Sequence, residues 1–427
     1  MNYEEFLNRL SEGGFDEVLK MLYGEAALEK QKKRYGSAVR KFREIYPDRT
    51  EFSIFSAPGR TEIGGNHTDH QHGCVLAAAV DVDAIAVVSF HDEGIIRVRS
   101  EGYDEDIVNL AEFEVKKSEY GKSTELIRGI AAKFADKGVK IGGFDAYTTS
   151  NVIGGAGLSS SAAFEVLIGT IINEQYNDCR AGSEEIAKIG QYAENVYFGK
   201  QCGLMDQMAC ATGGLVFIDF ADTEKPVVKK QMYDFSDKNL ALCITDTKGS
   251  HADLTDDYVA VPSEMKQIAS YFNKPYLRIV NEEEFYKAIP ELRKKYSDRA
   301  VIRAAHFFDE NKRAMDEAAA LARDDIFGFI NLVRKSGISS ATLLQNLYSP
   351  KNPLNQEIPV ALMVSERALA GSGAVRVHGG GFAGTIQAFV PLDKTDDYIY
   401  AMESLFGKDS CHIIHIRPIG GIKVDRQ

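Results

Sequence analysis

The chain has 427 residues, a formal net charge of −12, 44% hydrophobic residues and 26% charged residues. That length can bury more than one core, and the composition is ordinary for a globular protein; the acidic balance argues against nucleic acid or an anionic membrane as the main partner. The six cysteines (Cys74, Cys179, Cys202, Cys210, Cys243 and Cys411) include no C-x-x-C pair, and no apolar run reaches membrane-spanning length, so a reducing, cytoplasmic setting is expected.

Residues 1 to about 45 read as helical, with Phe6, Leu10, Phe15, Val18, Leu19 and Leu22 on one face, a packing extension without chemistry. A strand over 51–56 runs into Ala57-Pro58-Gly59 and then the polar segment from Arg60 to Gly73. Arg60 is a candidate anion clamp there, and Asn66, His67 and Asp69 can hydrogen-bond a polyol. A metal site from His67, His70 and His72 is the weaker reading, since they lack the i, i+4 helical spacing of a zinc motif. Strands are expected over 85–90, 94–100 and 144–149, with a helix over 122–137. Gly121-Lys122-Ser123-Thr124 mimics the end of a P-loop, but the first glycine that motif needs is Lys116, so the match fails.

The run Gly154-Gly155-Ala156-Gly157-Leu158-Ser159-Ser160-Ser161-Ala162-Ala163 leads into an apolar segment with helical spacing. Glycines let a backbone approach an anion closely, and a helix N-terminus offers free N–H groups to it. A nucleotide-phosphate cradle is therefore expected, with the hydroxyls as donors or metal ligands. A helix over 183–197 follows, with Ser183 as N-cap and Glu194 near its end. Asp206 then sits among apolar neighbours, as either a general base or a helix-capping aspartate.

A strand over 213–220 precedes polar turn residues at 221–225, where a boundary is placed. The second half reads as strands at 226–235 and 239–247, then several helices across 252–370, including 300–321 and 325–335. Tyr258 alone signals little there. The glycines of His378-Gly379-Gly380-Gly381-Phe382-Ala383-Gly384 match G-x-G-x-x-G, but a strand-like segment follows rather than a helix, so the loop is not a dinucleotide fingerprint. A helix near 398–405 and a strand over 411–416 end the chain.

Ala57 to Asp69, Gly154 to Ala163 and Gly379 to Gly384 resemble, in order, the three motifs of the GHMP small-molecule kinases. Ala193-Glu194-Asn195 and Gly203-Leu204-Met205-Asp206-Gln207 resemble the galactokinase branch. The resemblance implies an α+β, two-domain fold with the active site in the cleft between an N-terminal α/β domain and a C-terminal α+β domain. Residues 1–48 would be a helical extension, 49–222 the N-terminal domain and 223–427 the C-terminal one. It implies an ATP- and Mg²⁺-dependent galactose 1-kinase, monomeric, with no nucleic-acid or membrane partner. Asp206 would be the base and Arg60 would stabilise the transferred phosphoryl group. Gly154, Gly155, Ala156, Gly157, Leu158, Ser159, Ser160 and Ser161 would line the ATP phosphates, with Ser161 and Glu194 at Mg²⁺. Asn66, His67, Asp69, Gly203 and Tyr258 would meet the sugar, and Gly379, Gly380 and Gly381 would form the third glycine motif. Asn66 stands where galactokinases usually carry the glutamate that holds the C6 hydroxyl, which keeps galacturonate and L-arabinose open as acceptors. A non-catalytic sensor of galactose and ATP is the reading from another class.

Overall fold

The computed structural model describes residues 1–152, 157–249 and 254–426. Three helices open the chain: α1 (Tyr3–Ser11), α2 (Asp16–Tyr23) and α3 (Leu28–Ile45). Their apolar stripes, with Phe6, Leu19, Val39 and Phe42, close over Ile54, Ile85 and Val87 of the first two strands. The extension is thus one full layer of the first unit.

The spine of that unit is β2 (Cys74–Phe90), a 17-residue strand dominated by small and branched apolar residues. β1 (Ser53–Gly64) pairs along one side of it. β3 (Ile95–Ser100), β4 (Glu105–Asn109), α4 (Ser123–Asp136) and β5 (Phe144–Ser150) come next. Then follow α5 (Ser160–Tyr176), α6 (Ser183–Tyr192), α7 (Met205–Thr212), β6 (Leu215–Asp219) and β7 (Val227–Gln231). β2 is long enough to pair with β5 at one end and β6 at the other, so its free side carries two strands. Among the described strands only β3 and β5 run parallel, and the chain between them, with β4 and α4, makes the crossover that parallel pairing requires. α4 to α7 pack on the face opposite the extension, around Val88, Ile127, Phe134 and Ile168. The helix expected over 183–197 begins at Ser183 with Gly182, not Ser183, as its cap, and after Tyr192 it widens into a π-helical turn over Ala193–Phe198. Gly199, at φ 82°, ends it.

The second unit begins with β8 (Leu240–Asp246) and a helical run, α8 (Thr255–Tyr271), α9 (Glu282–Lys295), α10 (Asp298–Ala322), α11 (Ile326–Ser339) and α12 (Glu357–Leu369). It continues with β9 (Ala374–His378), β10 (Thr385–Pro391), α13 (Thr395–Phe406) and β11 (Cys411–Ile414). These strands form an antiparallel sheet in the order β11-β8-β10-β9. One face is covered by α12 and α13, and the other meets the first unit through a core containing Leu76, Ala78, Leu242, Phe329 and Phe389. Two strands cross a boundary drawn at 222/223. β7 pairs with β6, and β12 (Ile422–Lys423) returns to pair with β1, so the first sheet holds residues from both halves of the chain.

Asp83 anchors this arrangement. Its carboxylate is fully buried and takes Arg34 at 2.6 Å from the extension, Arg417 at 3.1 Å from near the carboxyl end, and the Tyr23 hydroxyl at 2.5 Å, with Ser56 beside them. Burial alone would raise its pKa, but the two guanidinium groups more than offset this and hold it below the usual carboxylate range. A carboxylate with a depressed folded pKa contributes stability above its unfolded value, and that contribution is lost as pH falls through the folded value. Asp83→Ala leaves two arginines uncompensated in the interior and should cost about 3–5 kcal/mol in denaturant unfolding at neutral pH, with the difference from wild type shrinking in strong acid.

Candidate active site

β1 delivers Arg60. A register shift between Pro58 and Arg60 interrupts the pairing with β2, which re-aims the strand at a rim as bulges do. Gly59 is needed here because a Cβ on it would lie 2.7 Å from the Leu158 carbonyl oxygen. Without one, Arg60 N–H reaches that carbonyl at 3.0 Å and draws the strand onto the glycine loop. Arg60 then forks onto Asp206, Nε to Oδ1 at 2.7 Å and Nη2 to Oδ2 at 2.6 Å, while Nη1 donates to the Gly157 carbonyl.

Asp206 lies in the first turn of α7 and has a second partner, the Ser159 hydroxyl, at 2.6 Å. Ser159 adopts a left-handed φ of 57° just before α5, and its side chain goes to Asp206 instead of capping the helix. The first-turn N–H groups of α5 therefore have no side-chain cap from Ser159. Burial pushes the Asp206 carboxyl up, but the charge and hydrogen bonds of Arg60, with Ser159, bring it below the ordinary range. It is ionised at neutral pH.

Two cavities meet at Tyr258. The first, about 410 Å³, is lined by Arg60, Gly157, Ser159, Ser161, Lys200 and Asp206, with Gly380, Gly381 and Thr385 facing them. Gly154, Gly155 and Ala156 lie outside the described residues. The second, about 630 Å³, is lined by His67, Asp69, His70, Gly203, Glu224 and Tyr258 among others. A Cβ on Gly203 would sit 2.2 Å from Asp69 Oδ2, so only glycine permits this approach. Burial pushes the Asp69 carboxyl up to about 6 and the His67 imidazole down to about 4. His70 and His72 are lowered by burial too, and no lysine or arginine is found among the described lining residues. The larger pocket thus carries carboxylates and neutral imidazoles.

The third glycine motif lines the smaller cavity and is latched from several sides. His67 Nε2 donates to the Gly380 carbonyl at 3.0 Å, and the Tyr258 hydroxyl donates to the Gly381 carbonyl at 2.9 Å. Asn66 donates to the Gly379 carbonyl at 2.6 Å and to Glu62 at 3.0 Å, and its amide oxygen accepts from Asn346 at 3.0 Å. The side chain expected to meet the sugar thus finds its partners within the protein. It is fully buried, it does not line the pocket, and its amide nitrogen and oxygen are both engaged within the protein. His378, ahead of the motif, bridges Thr61 at 2.9 Å and Thr385 at 3.0 Å, a strut that the sequence did not single out.

Glu194 sits in the π-helical turn, 2% exposed. Lys200 Nζ lies 2.9 Å from its Oε1, and Gln207 Nε2 donates at 2.9 Å to both Glu194 and Glu165. Glu165 is held well above the usual carboxylate range by burial and then by the charge of Glu194, and its Oε1 is buried without a partner among the described residues. No cluster of three or more histidine, cysteine or acidic side chains suited to a metal occurs among the described residues. Magnesium needs only one or two protein oxygens beside phosphate and water. Ser161, one helical turn before Glu165 on α5, and the Glu194–Glu165 pair fit that demand.

A helix N-terminus joined to an arginine–carboxylate fork on the wall of a polar cavity suits a phosphotransferase site, and comparison with known proteins agrees. Residues 125–214 match the GHMP kinases N terminal domain, and residues 40–90 match the galactokinase galactose-binding signature. A galactokinase of Streptomyces coelicolor is 30% identical over 376 residues, spanning 87% of this chain and 92% of its own. The chain belongs to the galactokinase family of the GHMP kinases, phosphotransferases acting on a sugar hydroxyl. The Lactococcus lactis galactokinase solved with galactose shares the fold at a TM-score of 0.76 and 23% identity, covering 91% of this chain and 99% of its own. The Methanococcus jannaschii mevalonate kinase shares it at 0.57 and 16%, covering 86% and 99%.

Asn66→Ala should leave Asn346 and Glu62 short of buried partners. A loss of about 1–3 kcal/mol for each group so orphaned is the ordinary scale, read as a lowered denaturant midpoint. An Asn66→Ala protein of unchanged stability would place the side chain outside this network.

Proposed function

We propose that this chain is an ATP- and Mg²⁺-dependent sugar 1-kinase whose acceptor is galactose or a close neutral relative. The observation that carries the reading is Asp206, gripped by Arg60 and Ser159 on the wall of the phosphate-sized cavity, next to the larger pocket. The sugar occupies the pocket of His67, Asp69, Gly203 and Tyr258, with its C1 hydroxyl toward Asp206. Asp206 Oδ accepts the hydroxyl proton as the oxygen attacks the terminal phosphorus of ATP. Arg60 stays beside the developing charge, and the α5 N-terminus with Ser159 to Ser161 holds the phosphates. Mg²⁺, held by Ser161 and Glu194, would supply charge neutralisation on the phosphates.

The alternative acceptors separate on electrostatics. A uronate carboxylate entering this pocket would meet Asp69 and Glu224 with no lysine or arginine among the described lining residues to pair with it. Galacturonate is disfavoured accordingly. ADP release with Mg-ATP should be compared for galactose, galacturonate, L-arabinose, galactosamine and glucose. Galactose is expected to give the highest kcat/KM and galacturonate a far lower one; the reverse order sinks the neutral-sugar assignment. If no sugar turns over while ATP and galactose both bind, the chain is a sensor.

Asp206→Asn should keep nucleotide binding and lose about 10²–10⁴-fold in kcat, the ordinary contribution of a positioned base. Turnover near that of wild type removes Asp206 from the proton transfer.

A further inference from the structure

Lys200 is the one lysine among the described residues lining the phosphate-sized cavity. The only other permanent cation there, Arg60, is already spent on Asp206 and on the Gly157 carbonyl. His378, on the same wall, is held well below its ordinary range by burial and by its arginine neighbours, so it is neutral. In a protein of net charge −12, a polyphosphate entering this cavity finds little uncommitted positive charge.

The two partners of the Lys200–Glu194 pair differ in mobility. Glu194 is buried, and Gln207 fixes its Oε2. The Lys200 side chain is 62% exposed and rests on Oε1 at 2.9 Å at the end of a flexible four-carbon stem. Its backbone is set by the turn closing the π-helical segment, where Lys200 N–H donates to the Glu194 carbonyl at 3.1 Å. The ammonium can therefore exchange one oxygen partner for another while its Cα stays in place. Glu194 is also the carboxylate assigned to the metal above, so a lysine on Oε1 and a divalent cation compete for the same atom.

We propose that Lys200 is a phosphate ligand of the nucleotide, parked on Glu194 while the cleft is empty. With Glu194 given over to a divalent cation, the Lys200 ammonium would leave Oε1 and pair with the nucleotide's phosphate oxygens. No covalent step is involved: one ion pair is exchanged for two. The exchange couples metal and nucleotide binding, and it makes Lys200 a positioning residue for the transferred group. It rests on the kinase reading of the site.

The test is calorimetric titration of wild type, Lys200→Met and Lys200→Arg with Mg-ATP, with adenosine, and with Mn²⁺ alone. In Lys200→Met, Mg-ATP should bind about tenfold more weakly, as expected for one lost charged hydrogen bond. Adenosine affinity should be unchanged, and Mn²⁺ should bind more tightly because its competitor is gone. Lys200→Arg should recover most of the ATP affinity. Unchanged ATP affinity in a Lys200→Met protein with wild-type melting behaviour would overturn the proposal and leave a surface ion pair. Weaker Mn²⁺ binding would overturn the exchange. Failure of wild type to bind ATP at all strikes the kinase reading instead.

Discussion

The fork between Arg60 and Asp206 is the interaction on which the working part of the molecule depends. A carboxylate removed from water is costly unless it is paired and hydrogen-bonded, and here one guanidinium and one hydroxyl provide that compensation. The geometry ties β1, α5 and α7 to one point. Gly59 allows the approach of β1, and the left-handed Ser159 turns its hydroxyl into the fork. The same pairing leaves Asp206 a weak base that is always ionised. That suits a phosphoryl transfer with a loose transition state, in which the attacking hydroxyl gives up its proton late.

Behind the larger pocket lies a second charged assembly. Arg376 reaches Glu62 and the Ile63 carbonyl, while Glu310 accepts from Ser336 at 2.6 Å and from Gly65 N–H at 3.3 Å. His306 donates from Nε2 to the Asn66 carbonyl at 2.9 Å. The segment from Glu62 to Asn66 is therefore held by α10, α11 and β9, all from the second unit. Neither unit could shape this loop alone, and the pocket's conformation is a property of their contact.

Much of this was legible in one dimension. Long apolar runs announced β2 and the helices, and the glycine–serine run announced the start of α5, because backbone geometry and burial act locally. Arg60 and Asp206, 146 residues apart, could be joined only through the family resemblance, and their contact is a fact of packing. Asn66 shows where local reasoning ends. Its place in a polar motif suggested a ligand contact, but the direction of its side chain is fixed by Asn346 and Gly379, about 280 and 313 positions away. Lys200 carried no signal beyond its charge, and its significance came from the π-helical turn that sets it beside Glu194. The apolar face of the extension was readable, whereas Arg34 as counter-ion to Asp83 was not, because nothing local marks which of many helix arginines turns inward.

The return of β12 to the first sheet has a bearing on how the molecule folds. β1 lies far from its outer partner along the chain: the Asp425 carboxylate that accepts the Ile54 N–H at 2.9 Å is 371 residues further on, close to Lys423, which pairs with Phe55. Until that distant segment docks, the first sheet presents an unpaired edge and Asp83 lacks Arg417. Sheet edges of that kind invite pairing with other chains. The folding protein therefore keeps that edge open to other chains until the long-range pairing forms, and β12 acts as the clasp that closes it.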